Sequence, residues 1–136
     1  MYLRKRIPSA DDSTLINLAV NTFNVNSTLF KEILKKSKEV IVICNNDDDV
    51  IGFLCYRFIL RNIVYIDYVV IDPDYQGKGV AQSFLPDMIQ YARNLGVKGA
   101  SGFVSGKNSK ALEIFKKWGF QPIMTSSKGT LIGRKI

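Results

Sequence analysis

The clearest chemical pattern in the chain is the run Gln76-Gly77-Lys78-Gly79-Val80-Ala81. It follows a β-branched and aromatic segment ending at Ile71, an Asp72-Pro73 stop, and precedes an apolar helical period. A strand, a turn, a glycine-rich loop and a helix in that order form an anion site. The first amides of a helix have no intrahelical acceptor, the helix dipole is positive there, and glycines let a phosphate approach the backbone closely. The bland alternative is a tight turn closed by glycines. A Walker loop is excluded, because no Gly-Lys-Ser/Thr follows at the required spacing, and the dinucleotide fingerprint fails as well.

Asp67 is the second unusual residue. It shares a strand face with Tyr65 and Val69 by the two-residue period, amid Ile66, Tyr68 and Val70. A carboxylate there is anomalous unless that face opens to a cleft or the residue pairs with Arg57 or Arg61. The chain has no histidine, which removes every Ser-His or Cys-His nucleophile. With two cysteines, Cys44 and Cys55, a zinc site of the usual Cys/His type cannot be assembled. A hairpin turn at Asn46-Asp47-Asp48-Asp49, with Asn45 facing Val50 and Cys44 facing Ile51, keeps the two thiols apart. Cys55 could carry an acyl group, but a buried strand residue is the simpler reading.

The elements that must position these residues can be read in order. Tyr2 to Ile7 alternates as a half-exposed strand, and Asp11, Asp12 or Ser13 can cap a helix through Leu15, Leu18 and Phe23. Asn26 or Ser27 can cap a second helix through Phe30 and Leu34. Val40 to Asn45, Val50 to Leu60 and Ile63 to Ile71 form a three-strand meander. Val80 to Leu95 is a helix stopped at Gly96, with Pro86 expected to kink it. Ala100 to Val104 is a strand, Asn108 to Trp118 a helix stopped at Gly119, and Phe120 to Met124 and Thr130 to Ile136 are closing strands. The order β-α-α-β-β-β-α-β-α-β-β predicts a single α/β (α+β) domain over residues 1–136, a mixed, mostly antiparallel central sheet with helices on both faces.

Two spaced signatures then carry a family resemblance. Gln76-Gly77-Lys78-Gly79-Val80-Ala81 resembles the Gln/Arg-x-x-Gly-x-Gly/Ala signature of the GCN5-related N-acetyltransferases (GNAT). Asn108 to Phe120 is similar to that family's Asn-x-x-Ala-x-x-x-Tyr-x-x-x-Gly-Phe helix. The resemblance runs from about Ile63 to Ile123. It implies a GNAT-like fold and an acetyl-CoA-dependent N-acetyltransferase, with acetyl-CoA as acyl donor substrate, an amine acceptor and no metal. It also implies cofactor contacts position by position. The backbone of Val69, Val70 and Ile71 would run beside the pantetheine arm and help polarise the thioester. The loop of Gln76, Gly77, Lys78, Gly79, Val80 and Ala81 would hold the pyrophosphate through its amides. Asn108 would reach the pantetheine or its thioester end, and Lys107, Lys110 and Lys117 are candidates for the adenosine 3′-phosphate, each with a solvated surface charge as the simpler reading.

One position departs from the family. Phe115 stands where many members carry a tyrosine near the departing sulfur, and it cannot donate a proton. A thiol of pKa roughly 8.5 can leave as thiolate, so losing the acid need not abolish the reaction; Tyr65 or Tyr68 could replace it. The amine nucleophile must be neutral, and Asp67 is the base offered by the strand, acting through water.

The net charge of +7 is unevenly spread: +3 over residues 1–40, −4 over 41–75 and +8 over 76–136. Such a C-terminal half suits a polyanionic ligand, or simply a solvated surface. A nucleic-acid-binding domain draws support only from this charge and is opposed by the lack of a recognition motif. A non-catalytic acyl-CoA binding domain is encouraged by Phe115. No basic leader with an apolar core and no membrane-length apolar run is present, so a soluble cytoplasmic protein is expected. The late strands offer a possible homodimer surface. The acceptor amine has no readable motif.

Overall fold

The computed structural model describes residues 1–136. Its elements are β1 (Tyr2–Lys5), α1 (Pro8–Phe23), α2 (Ser27–Lys36), β2 (Glu39–Cys44), β3 (Val50–Leu60), β4 (Ile63–Ile71), a 3-10 turn (Pro73–Tyr75), α3 (Val80–Asn94), β5 (Gly99–Ser105), α4 (Ser109–Lys117), β6 (Gln121–Thr125) and β7 (Gly129–Lys135). The expected order of strands and helices is the observed one. The strands form one seven-stranded sheet in the order β1-β2-β3-β4-β5-β7-β6. Most of its pairings are antiparallel, and β4 with β5 is parallel. A parallel pair needs a long crossover, and α3 supplies it. No helix is long and apolar enough to cross a membrane.

Two compact units share the chain: Met1–Arg57 with Asp67–Val80, and Phe58–Ile66 with Ala81–Ile136. In the first, Leu15, Leu18 and Ala19 of α1 lie at the three- and four-residue spacing of one helix face. They join Phe30 and Leu34 of α2, Val40, Phe53, Cys55 and Val70 in one buried cluster. Phe30 meets Phe53 edge-on at 5.7 Å. In the second, β5 runs between β4 and β7, and Ala100, Ser101, Gly102 and Val104 are buried along it. Burial on both faces of this central strand explains its run of small residues.

Two local expectations are corrected. Strand β1 stops at Lys5, short of Ile7, and α1 begins at Pro8 instead of being capped by Asp11, Asp12 or Ser13. Proline at the first helical position is pre-set in φ and lacks only an amide that would be unpaired there anyway. Asp11 then lies one turn in, buried, where its carboxylate accepts the Ile7 amide at 2.7 Å and both Nη atoms of Arg4 at 2.7 and 2.8 Å. At the β2–β3 hairpin, Cys44 faces Val50 instead of Ile51, and Ile43 faces Gly52. The cause is Asn45, whose Oδ1 accepts the amides of Asp47 and Asp49 while its own amide bonds the Asp49 carbonyl. This closes the turn one residue earlier, and a bulge absorbs the difference. Both cysteines are free and buried, and Cys55 pairs in register with Val40.

Candidate functional site

Strand β4 sends alternate residues to opposite faces. Val70 is fully buried, and the Tyr68 ring is held by Phe23 and Phe30 at 5.5 and 5.3 Å. Asp67 belongs to the other face. Its Oδ2 and Oδ1 lie 3.2 and 3.4 Å from Nε of Arg57, with 13% of the Asp67 side chain exposed against 45% for Arg57. Of the two arginines the sequence left open, Arg57 is the partner. The pair is one-sided in burial, so its net contribution is about 1 kcal/mol or less, and it keeps an anion on the strand. Asp67 and Tyr68, both assigned to proton handling, therefore project from opposite faces of one strand.

Beyond Asp67 the strand carries Val69, Val70 and Ile71, and the registered pairs of β4 with β5 run from Ile63↔Gly99 to Ile66↔Gly102. At the strand end, the Asp72 amide bonds Ile51 O at 2.8 Å and its carboxylate accepts the Asp74 amide at 2.8 Å. That Asx turn and Pro73 set up the 3-10 turn. The chain then folds back: Nε2 of Gln76 donates to the Ile71 carbonyl at 2.8 Å. Tyr75 is fixed from the β2–β3 turn, its hydroxyl accepting from Nδ2 of Asn45 at 3.2 Å, and Lys78 Nζ lies 5.8 Å from the centre of the Tyr75 ring.

Both loop glycines are left-handed, each with φ 73°, and a Cβ added at either would meet no atom within 4 Å. Glycine is thus required for backbone conformation, and the space above the loop is open. Alanine at either position would be strained by about 1 kcal/mol. The first turn of α3 contains no acidic residue, so the positive helix end has no side-chain counter-charge there. Lys78 adds a cation. Open space, turned amides and an uncompensated dipole suit a phosphate, which is how Gln76 to Ala81 can serve an anionic ligand.

In the second unit, Asn108 caps α4, its Oδ1 accepting the Ala111 amide at 3.2 Å. The oxygen is engaged in the fold, which leaves the amide nitrogen as the group to offer a ligand. Phe115 packs edge-on against Trp118 at 5.2 Å and Phe120 at 5.3 Å, and Gly119, with φ 90°, ends the helix. Asn108, Phe115, Gly119 and Phe120 of the second signature therefore each have a structural task. Lys110 and Lys117 are two turns apart on one face of α4, about 10 Å along the helix axis. Helix α3 runs through Pro86 as one element.

Cys55 has no exposed surface, and burial above all pushes its thiol up to about 12, with the nearby Asp67 charge adding to the effect. A thiol held neutral is no acyl carrier. Sequence reading missed the Gln76–Ile71 and Asn45–Tyr75 bonds. It also missed the reason for Gly52, where a Cβ would come within 2.7 Å of the Val70 carbonyl. None of the three has a local signal, since each joins residues from different elements.

Residues 14–120 match the family model described as "Acetyltransferase (GNAT) family". The chain belongs to the GNAT acetyltransferase family. This GNAT chain is 24% identical over 98 residues to an uncharacterized N-acetyltransferase of Methanocaldococcus jannaschii, covering 68% of this chain and 43% of that protein. It spans less than half the length of the curated relatives it matches. Among solved structures it superposes on Ard1 from Thermoplasma volcanium with TM-score 0.86 at 18% identity, covering 99% and 97% of the two chains. The PaiA N-acetyltransferase of Thermoplasma acidophilum, solved in complex with coenzyme A, gives TM-score 0.77 at 17% identity over the whole of both chains. At these identities the structural likeness is one of fold.

Proposed function

We propose that residues 1–136 act as one N-acetyltransferase domain of the cytoplasm, moving an acetyl group from acetyl-CoA to a primary amine by direct attack. The observation that carries this reading is the loop at Gln76–Ala81: two left-handed glycines, a lysine and an acid-free helix start, fixed to the preceding strand through Gln76 and Ile71. In this assignment the amides of Gly77, Lys78, Gly79, Val80 and Ala81 take the pyrophosphate. The backbone of Val69, Val70 and Ile71 lies along the pantetheine, and Asn108 and Phe115 complete the donor contacts. The coenzyme A complex of the PaiA relative supports such a donor.

The bond that forms joins the amine nitrogen to the acetyl carbonyl carbon, and the bond that breaks is the thioester C–S. The amine proton passes through water to Asp67, which lies 3.2 Å from Nε of Arg57. The sulfur leaves as thiolate, to which water returns a proton. The buried, neutral Cys55 favours direct transfer over an acyl-enzyme. A homodimer through the late strands belongs to the same proposal, since Ile123 and Met124 of edge strand β6 are 62% and 67% exposed.

A screen of primary amines with acetyl-CoA, read as free CoA and as acetylated product by mass spectrometry, tests the reading. Turnover with an amine class supports it. Tight acetyl-CoA binding with no turnover across the panel would instead favour an acyl-CoA binding domain, the second reading that Phe115 supports.

A further inference from the structure

A recess lies wholly within the second unit, between α3 and the end of α4. It is shallow and largely open to solvent, with a volume of about 530 Å³. Leu85, Ile89 and Arg93 of α3 line it at four-residue spacing, so they share one helix face. Pro86 adds its ring beside them, which gives the interior proline a place in the structure. Lys117 and Trp118 at the end of α4 and Arg134 of β7 also line it.

The groove holds two kinds of surface. Leu85, Pro86, Ile89 and Trp118 make an apolar floor, while Arg93, Lys117 and Arg134 bring three cations and no carboxylate lines it. The ion pairs of the protein fall between Arg4 and Asp67, so none neutralises these three. Arg134 is also held in place. Its Nη1 donates to the Trp118 carbonyl at 2.8 Å, and Gly119 leaves room for its guanidinium, since a Cβ there would come within 3.3 Å of Nε. A pinned guanidinium with two further cations beside an aromatic ring is a preorganised anion receptor, and like charges gathered without an acid are relieved when an anion enters.

We propose that this groove binds a small organic anion with an apolar body and a terminal carboxylate, at a site distinct from the loop at Gln76–Ala81. The apolar floor selects against a bare inorganic anion, and the cations select against a neutral hydrocarbon.

Trp118 is the single tryptophan of the chain, so its fluorescence reports on the groove directly. Octanoate is the probe, with 1-octanol, acetate and inorganic phosphate as comparisons, titrated into the full chain without acetyl-CoA. The expected result is a saturable change in Trp118 emission with octanoate at concentrations where the other three give none. In the double variant Arg93→Gln/Lys117→Gln, which alters two exposed side chains, octanoate should bind about tenfold more weakly with unchanged circular dichroism. Equal binding of 1-octanol, saturation by acetate or phosphate alone, or unaltered affinity in the double variant would overturn the proposal. Displacement of octanoate by acetyl-CoA would also overturn it, by making the groove part of the donor site. Because acetyl-CoA is absent from the direct titration, failure of the transferase reading leaves that result unchanged.

Discussion

Gln76 is tied to Ile71: its side-chain amide donates to the carbonyl at the end of β4 at 2.8 Å, so the loop folds back onto the strand that precedes it. The first residue of the signature thus shapes the loop from within. Replacing Gln76 with Ala removes that bond and loosens the glycine run, at a cost of about 1 kcal/mol. We expect KM for acetyl-CoA to rise roughly fivefold, by the same estimate, with kcat and the amine KM little changed. Steady-state kinetics with each substrate varied in turn checks it, and equal loss in kcat would place Gln76 in the chemistry instead.

Gly52 faces a similar constraint from packing. A methyl group there would lie 2.7 Å from the Val70 carbonyl and 2.9 Å from Ile71 Cδ1, and the backbone atom cannot yield as a side chain can. Gly52→Ala should therefore destabilise the fold by about 1–3 kcal/mol and weaken acetyl-CoA binding by displacing Val70 and Ile71. Thermal unfolding and calorimetric titration read the two effects separately.

Acid should act first through Asp11. Hydrogen bonds from Arg4 hold its carboxyl below the ordinary 3.8, with the Ile7 amide and the charges of Arg4 and Arg6 acting in the same direction and burial opposing them. The folded value is depressed, so this stabilisation is complete above the unfolded value and is lost as pH falls from 3.8 through the folded value. Asp11→Asn should be less stable than wild type at pH 7 by about 2 kcal/mol. Its unfolding midpoint should fall less steeply below pH 3.8. Parallel acid limbs in the two proteins would remove Asp11 as the cause.

The buried Cys55 thiol gives a chemical prediction. Pushed up to about 12, it stays protonated at neutral pH. Native protein should resist iodoacetamide at Cys55 and alkylate only on unfolding, and mass spectrometry after incubation with acetyl-CoA should show no acetylated cysteine. Acetyl transfer to Cys55 in the native state would replace direct attack with a two-step route.

Asp67 carries the clearest kinetic test. Asp67→Asn should lower kcat most at low pH, where the amine is most protonated, while acetyl-CoA affinity changes little. Arg57→Gln provides the control, because it breaks the same ion pair and leaves the carboxylate in place. Loss of activity in both variants alike would mean that the pair acts only to hold β3 against β4.

Much of this architecture could be read residue by residue. The β3 and β4 boundaries follow from runs rich in β-branched and aromatic residues, and the loop glycines from a backbone conformation that only glycine adopts easily. Features that depend on distant partners were hidden. Whether Asp67 would find Arg57 or Arg61, and which side of β4 Tyr68 would present to Phe23 and Phe30, depend on register and packing. The start of α1 was misread because Asp11 is a good capping residue by type, whereas Pro8 and the buried Arg4 contact set the boundary. The acceptor amine left no trace, because no short motif encodes it.

The bond from Asn45 to Tyr75 has a practical consequence for anyone who would modify this chain. Surface hairpins are the usual place for inserted tags or altered loop lengths. Here the β2–β3 hairpin is a strut for the turn that leads into the glycine loop, so lengthening it would pull the support from beneath Lys78. The Ser126–Lys128 turn between β6 and β7 has no such bond to that loop and is the better place for grafted sequence.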